Sequence, residues 1–186
     1  MEPFITFIIP SLNRPTIANS VNSLLNQTNP NWNAIILYDG VTGAAFEDKR
    51  IKTLEIPKTG LIGPVTGESG LVRNIGIKKV KTEWIGFLDD DDTIDVNYVS
   101  TLSEKYLEKD FVVWRMKNPD GSVQPASFSH DLFFGDVGIS FCYKNKFGNL
   151  LFDNNRNGED FDFLMKLKSL TDNWIIAPEI YYNVRP

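Results

Sequence analysis

Nearly uninterrupted apolar runs alternate with segments of helical periodicity over the first two thirds of the chain. Four such runs lie at 4–9, 34–38, 84–88 and 111–116. They are rich in the β-branched and aromatic residues typical of strands buried on both faces. Between them, apolar residues recur every three or four positions, which predicts helices over 15–25 and 69–80. This alternation predicts an α/β fold, a mainly parallel sheet flanked by helices.

Weaker patterns predict the remaining elements. Strands are expected at 52–56, 138–143, 174–177 and 180–184, and helices at 95–109, with Asp95 as N-cap, and 159–170. The stretch 57–70 is rich in Gly, Thr and Pro and predicts a long loop, and long loops in compact domains are usually functional. Because no linker, repeat or low-complexity tract interrupts the chain, residues 1–186 are expected to form a single domain.

Composition excludes several function classes. The chain has 186 residues, 42% of them hydrophobic and 23% charged, as in a soluble globular domain. The formal net charge of -5 argues against a nucleic-acid partner, which usually requires a basic face. A free nucleotide remains compatible with this charge, because a metal ion can supply the missing positive charge.

Compartment is indicated by the cysteine count and by the length of the apolar runs. Cys142 is the only cysteine, so no intrachain disulfide is possible, and a small core residue in a reducing compartment is expected. The apolar runs are too short for a transmembrane segment. We therefore expect a cytoplasmic protein, either free or peripheral to a membrane.

Four consecutive aspartates, Asp89 to Asp92, follow a buried strand directly, and Asp39 follows another. The carboxyl ends of parallel strands meet at one edge of a sheet, where ligands bind. Carboxylates this close repel one another unless a cation compensates, and hard oxygen ligands favour magnesium, manganese or calcium. The alternative is a solvated acidic turn that favours the start of the next helix.

Two well-known loop types do not fit. A helix–loop–helix calcium site needs Gly at loop position six and Glu at position twelve. The residues at those positions are Ile94 and Ser100, or Val96 and Leu102. The glycines of the 57–70 stretch match neither the dinucleotide fingerprint nor the phosphate loop that ends in Gly-Lys-Ser/Thr.

Five motifs occur in order along almost the whole chain, at 8–14, 38–40, 67–76, 84–92 and 157–162. With these motifs the chain resembles the family 2 glycosyltransferases, inverting enzymes with the GT-A fold. The resemblance implies that residues 1–92 bind the nucleotide-sugar. It implies that 93–186 form a small acceptor-side half that carries the catalytic base.

Most of the shared residues would bind the donor, according to this resemblance. The implied donor-binding residues are Pro10, Ser11, Asn13, Arg14, Asp39, Arg73, Asp89 and Asp90. Among them, Asp39 would hydrogen-bond the base, and Asp89 would contact the ribose and diphosphate. Asp90 is included only because it lies in the matching motif. In an extended chain its side chain would point away from those of Asp89 and Asp91.

The resemblance also implies the metal and the base. Asp91 and Asp92 would hold Mn²⁺ or Mg²⁺, which stabilises a departing nucleoside diphosphate. Asp160 would take the proton of the acceptor hydroxyl, with Glu159 as a supporting acid. The donor is expected to be a UDP-sugar and the acceptor a glycan or another hydroxyl compound. His130 is the only histidine and is expected to be a surface or structural residue.

Two alternatives remain, a catalytically silent module that binds a nucleotide-sugar and a cation, and a nucleotidyltransferase. The second would carry a Gly-rich loop with Arg and Lys after the first strand, where this chain has 11–15, Ser-Leu-Asn-Arg-Pro. Aromatic and cationic side chains in the second half either line an acceptor site or fill the core. They are Trp114, Arg115, Phe133, Phe134 and Trp174.

Overall fold

A computed structural model of the protein describes residues 2–59, 69–126, 131–153 and 158–186. Most of the predicted glycine-rich loop, at 60–68, lies outside these ranges, as do His130 and Asn157. The described strands are β1 (Ile5–Ser11), β2 (Trp32–Asp39), β3 (Ile51–Ile56), β4 (Trp84–Phe87), β5 (Thr93–Ile94), β6 (Phe111–Lys117), β7 (Val123–Gln124), β8 (Phe141–Lys144) and β9 (Trp174–Asn183). The described helices are α1 (Ile17–Leu25), α2 (Ser69–Ile77), α3 (Tyr98–Lys105) and α4 (Glu159–Leu170).

All nine strands belong to one mixed sheet, with β7 paired to β6 beside the order β3-β2-β1-β4-β8-β6-β9-β5. The block β3-β2-β1-β4 is parallel throughout. Strand β8 then runs antiparallel to both β4 and β6, whereas β6 and β9 are parallel. The α/β fold class predicted from the sequence is confirmed, and the parallel character is concentrated in the first half of the chain.

The parallel block brings the ends of three strands to one edge. The register pairs Ser11 with Tyr38 and Ile8 with Phe87. Strand β1 is central and almost fully buried, because its apolar residues face helices on both sides of the sheet. As a result, Ser11, Asp39 and the residues after Phe87 emerge at the same edge.

Helix α2 packs unusually close to this sheet. A Cβ at Gly76 would lie 2.6 Å from Ile8 Cγ2 and 3.0 Å from Leu37 Cδ1, so only a glycine allows this approach. Arg73 is three residues earlier, almost one turn along the same helix. The close packing of α2 on the sheet therefore fixes the distance of Arg73 from the carboxyl ends of β1 and β4.

Several elements differ from the predictions; among them, α3 ends at Lys105 rather than at 109, and the strand predicted at 138–143 is β8, which begins at Phe141. Helix α3 begins at Tyr98 rather than at Asp95, because the Asp95 carboxylate accepts the Asn97 N–H at 2.8 Å and closes a turn before the helix. The predicted strands 174–177 and 180–184 form the single strand β9, whose register against β6 shifts near Arg115. The short strand β5 has no apolar run of its own and depends on its pairing with β9.

The aromatic residues of the second half divide between core and surface. Trp114 is fully buried and Arg115 donates to the carbonyl oxygens of Pro125 and Ala126, so neither belongs to an open acceptor site. Phe133 and Phe134 are instead exposed. Cys142 is buried in the core, as expected from its apolar flanks. Among the described helices, none has the length and apolarity needed to cross a membrane.

Candidate active site

A polar cleft of about 200 Å³ opens at the edge where β1, β2 and β4 end. Its lining residues come from these strand ends, from α2 and from the C-terminal segment. They are Pro10, Ser11, Leu12, Arg14, Asp39, Ser69, Val72, Asp89, Asp90, Asp91 and Arg185. The cleft thus gathers residues from both ends of the chain around the acidic run.

The acidic run forms a tight turn. Asp92 N–H donates to the Asp89 carbonyl at 3.2 Å. The Ser20 hydroxyl of α1 lies 3.1 Å from the Asp89 carbonyl oxygen and 2.7 Å from that of Asp92. Because the chain turns here, the alternation expected of an extended strand does not apply, and Asp90 lines the cleft together with Asp89 and Asp91.

Asp90 fastens the acidic turn to the end of β1. Its carboxylate accepts the Ser11 hydroxyl at 2.7 Å and the Leu12 N–H at 3.3 Å, and Arg14 Nη1 lies 3.4 Å away. Burial raises the pKa of Asp90, against the lowering effect of the Ser11 hydrogen bond and of the Arg14 charge. The Asp90 side chain thereby fixes the position of the acidic turn relative to the segment that follows β1, at the mouth of the cleft.

Two arginines hold Asp91. Its Oδ2 accepts Arg14 Nη1 at 3.0 Å and Arg185 Nε at 3.1 Å. Arg185 reaches this position because β5, directly after the acidic turn, pairs with the end of β9. No motif or periodicity marks Arg185, so sequence reasoning missed it. Its position next to Asp91 could be predicted only from the pairing of the two-residue strand β5 with β9.

Asp92 and Asn13 lie outside the residues that line the cleft. Asp92 is buried and accepts the backbone N–H of Arg185 at 2.9 Å. Burial, together with the charge of Asp89, raises the pKa of Asp92 to about 7. Asn13, at φ 57°, bonds Thr42 and Ala44 through its side-chain amide. Both residues thus hold loops beside the cleft.

Arg73 connects the cleft to the start of α4. Its guanidinium is almost fully buried and donates to Asp89 Oδ1 at 2.6 Å and to Glu159 Oε1 at 2.8 Å, and Asp160 Oδ1 is 3.6 Å away. Burial acts to lower the pKa of Arg73, but the charges of Asp89, Asp160 and Glu159 raise it overall. The Ser69 hydroxyl donates to Glu159 Oε1 at 2.8 Å. Ser69 was not predicted as a site residue from the sequence.

Asp160 lies within the field of the Arg73 guanidinium, which is 3.6 Å from the Asp160 Oδ1 atom. Among the described residues, none hydrogen-bonds its buried Oδ1 atom. Burial raises the pKa of Asp160 to about 6; Arg73 acts to lower it, and Asp89 and Glu159 act to raise it. Asp160 also lines a second pocket, beyond Arg73. A carboxylate with free acceptor capacity at such a boundary can take a proton from a ligand.

Asp39 sits at the far end of the cleft. Its carboxylate accepts Lys58 Nζ at 2.7 Å and the Thr59 N–H at 2.5 Å. Asp39 is buried, so these contacts fix the orientation of its carboxylate. Lys58 had not been singled out in the sequence because it lies at the start of the glycine-rich loop, outside any motif.

The described ranges contain no group of three His, Cys, Asp or Glu side chains arranged to hold a metal by themselves. The cleft instead presents carboxylates of Asp89 and Asp91 on the same turn. Magnesium is commonly bound through one or two carboxylates, with substrate phosphates and water completing its shell. The donor set therefore fits a cation that is bound jointly by the protein and a phosphorylated ligand.

Comparison with known proteins identifies the family. Residues 6–171 match the model described as glycosyl transferase family 2. The chain belongs to this family. The match includes the acidic turn, Arg73 and the start of α4, so the site residues predicted from the sequence all lie within the matched residues 6–171.

Bacterial relatives of this family 2 chain are glycosyltransferases by name. An uncharacterized glycosyltransferase of Rickettsia bellii is 31% identical over 146 residues, covering 69% of this chain and 20% of the relative. Glycosyltransferase GlyG of Streptococcus pneumoniae is 27% identical over 153 residues, covering 76% of this chain and 46% of GlyG. The chain therefore spans less than half the length of these curated relatives.

Solved structures share the fold. Residues 1–349 of S. aureus TarS in complex with UDP-GlcNAc match with a TM-score of 0.74 at 20% identity, covering 99% of this chain and 58% of that one. The same TarS segment in complex with UDP matches with a TM-score of 0.71 at 18% identity, covering 99% and 60%. The GT-A fold expected from the sequence is thereby confirmed.

Proposed function

We propose that this chain transfers a sugar from a UDP-sugar to a hydroxyl acceptor, with inversion at the anomeric carbon. One observation carries the proposal: Arg73 contacts Asp89 in the cleft and both Glu159 and Asp160 beside the second pocket. A single buried side chain thus connects a polar cleft of about 200 Å³ with a candidate base. Membership of glycosyltransferase family 2 supports the same reaction class.

The cleft is proposed to bind the nucleoside diphosphate part of the donor. Asp39 would hydrogen-bond the base at one end, and Pro10 and Ser11 would form the adjacent wall. Crystal structures of TarS, which has the same fold, contain UDP-GlcNAc or UDP. These complexes support uridine as the nucleoside and N-acetylglucosamine as one candidate sugar.

Charge within the cleft favours a divalent cation. The described lining residues include four carboxylates, Asp39 and 89–91, against the guanidinium groups of Arg14 and Arg185. A diphosphate would add further negative charge, so Mn²⁺ or Mg²⁺ at Asp91 and Asp89 would offset the repulsion. When bound, the cation would supply Lewis acid stabilisation to the departing diphosphate. Asp92 would support such a site indirectly, because its carboxylate holds the backbone of Arg185 against the acidic turn.

Arg14 and Arg185 are proposed to bind the diphosphate oxygens. Both guanidinium groups contact Asp91 and both line the cleft. An arginine presents a planar fork of donors that matches phosphate geometry. Their position beside Asp91 would let them shift from its carboxylate to the incoming phosphate oxygens.

Asp160 is proposed as the general base. With a pKa of about 6 it is mostly ionised at neutral pH, and it retains an oxygen without a hydrogen bond from the described residues. A base whose pKa lies close to the working pH is favourable for proton transfer. Glu159 would keep Arg73 in place through its own ion pair, at 2.8 Å.

The proposal is tested by separating binding from turnover. Asp91→Asn is expected to abolish Mn²⁺-dependent UDP binding measured by calorimetry. Asp160→Asn is expected to bind UDP as the wild type does. Asp95→Asn, three residues beyond the acidic turn, is the matched control and should leave UDP binding unchanged. If no common nucleoside diphosphate binds the wild type with Mn²⁺, the proposed function is wrong.

A catalytically silent module would behave differently. It would bind UDP through Asp91 but would release no UDP from a UDP-sugar, with or without acceptor. The nucleotidyltransferase alternative is disfavoured by the family match, since residues 6–171 match glycosyl transferase family 2. Measuring UDP release from UDP-GlcNAc therefore separates the enzyme from the silent module.

A further inference from the structure

A second pocket, of about 320 Å³, lies at the N-terminal end of α4. We refer to it as the Phe134 pocket, and its lining includes Phe134, Val137, Gly158, Glu159, Asp160 and Phe161. It shares the two carboxylates with the Arg73 network. It is therefore continuous with the candidate base and separate from the cleft proposed for the nucleotide.

Phe134 is exposed but held in place. Its side chain is 69% exposed, and its ring meets that of Phe161 edge-to-face, with centroids 5.7 Å apart. Gly158 has φ 82°, and a Cβ there would lie 2.5 Å from Phe134 Cε2. The ring thus packs directly on the glycine backbone. An aromatic ring that is ordered before binding needs little further ordering when a ligand arrives.

The charges of the Phe134 pocket restrict its ligand. Glu159 and Asp160 are its charged side chains, and the described lining residues include no cation. Arg73 lies buried behind both carboxylates. A phosphorylated or acidic group would be repelled here. A neutral polyhydroxyl ring suits both features, since its C–H face can stack on an aromatic ring while its hydroxyls donate to carboxylates.

We propose that the Phe134 pocket binds a neutral sugar ring of the acceptor, stacked on Phe134, with the reacting hydroxyl directed at Asp160. The inference rests on the proposed function. In the transfer, the acceptor oxygen forms a bond to the anomeric carbon of the donor. The bond from that carbon to the diphosphate oxygen breaks, and UDP leaves with the electron pair. The hydroxyl proton passes to the Asp160 carboxylate.

The test uses methyl glycosides of glucose, galactose and N-acetylglucosamine as neutral probes, with UDP and the diamagnetic cation Mg²⁺ present. Glucose 6-phosphate and methyl glucuronide are the anionic arms. Binding is measured by ligand-observed NMR. At least one neutral glycoside should bind the wild type, and Phe134→Ala should weaken it about tenfold. Phe134→Tyr, which keeps the ring, should restore the affinity.

Phe133→Ala is the matched control. Phe133 is the chain neighbour, is 58% exposed, and does not line the pocket, so its removal should leave glycoside binding unchanged. Equal binding by the wild type and Phe134→Ala would overturn the inference. Preference for an anionic probe, or binding of no neutral glycoside by the wild type, would also overturn it.

A separate readout distinguishes this inference from the proposed function. UDP affinity is measured in the same variants. It should be the same in Phe134→Ala as in the wild type, because Phe134 lies outside the cleft proposed for the nucleotide. If the wild type does not bind UDP, the proposed function is refuted. If the wild type binds UDP but Phe134→Ala binds the glycosides as tightly as the wild type does, only the acceptor pocket is refuted.

Discussion

Replacing Asp160 with asparagine should make the protein more stable at neutral pH while it lowers turnover at least about a hundredfold. The asparagine keeps the shape of the side chain and removes a charge that the fold tolerates poorly. The pKa of Asp160 is raised from 3.8 to about 6, chiefly by burial. At 1.36 kcal/mol per pKa unit, the ionised carboxylate destabilises the native state by about 3 kcal/mol relative to a neutral group.

The sign of the pH dependence follows from the raised pKa. The native state binds the Asp160 proton more tightly than the unfolded state does, so this group stabilises the fold most at low pH. That stabilisation is lost as the pH rises from 3.8 to about 6. The advantage of Asp160→Asn should therefore be about 3 kcal/mol above pH 7 and should approach zero near pH 4.

The assay is urea denaturation at a series of pH values, with EDTA and without nucleotide, so that no cation or ligand alters the charge. A difference of about 3 kcal/mol corresponds to a melting temperature about 6–12 °C higher for a domain of this size. Asp172→Asn, at an exposed position just beyond the end of α4, is the matched control. It should change the free energy of unfolding by less than about 0.5 kcal/mol. An Asp160→Asn variant no more stable than the wild type at pH 7.5 would refute the reasoning.

Three further changes test the packing and charge of the site. Arg73→Met removes a buried cation and leaves three partly exposed carboxylates clustered without it, so it should cost about 2–3 kcal/mol in urea denaturation. Arg50→Met, at a partly exposed ion pair, should cost under about 1 kcal/mol. Arg185→Ala should weaken UDP binding about tenfold and leave UMP binding unchanged in calorimetry, and equal losses for both nucleotides would argue against a diphosphate contact. Gly76→Ala places a methyl group 2.6 Å from Ile8 Cγ2 and should cost about 1–3 kcal/mol, and an unchanged melting temperature would contradict the close packing of α2.

Local sequence signals predicted much of the first half of the fold. The apolar runs that became β1, β2 and β4 are continuous and β-branched, so each indicated a strand without knowledge of its partners. Helix α4 occupies the predicted range 159–170. Because strand ends in a parallel block share one edge, the meeting of Asp39 with the acidic run was also predictable.

Long-range pairings were not predictable in the same way. Strand β8 enters antiparallel between β4 and β6, and nothing in its four residues specifies that position. The contact of Arg185 with Asp91 depends on the pairing of β5 with β9, which are about ninety positions apart. The turn that directs Asp90 into the cleft depends on Ser20 of α1. Such contacts are set by packing between distant segments.

The central claim is that one buried arginine network connects a nucleotide cleft to a catalytic base. The most direct measurement is the release of UDP from UDP-GlcNAc with Mn²⁺, in the wild type and in Asp160→Asn, at UDP affinities shown to be equal. We predict release by the wild type and a loss of at least about a hundredfold in the variant. Equal rates of UDP release in the two proteins would contradict the assignment of Asp160 as the base.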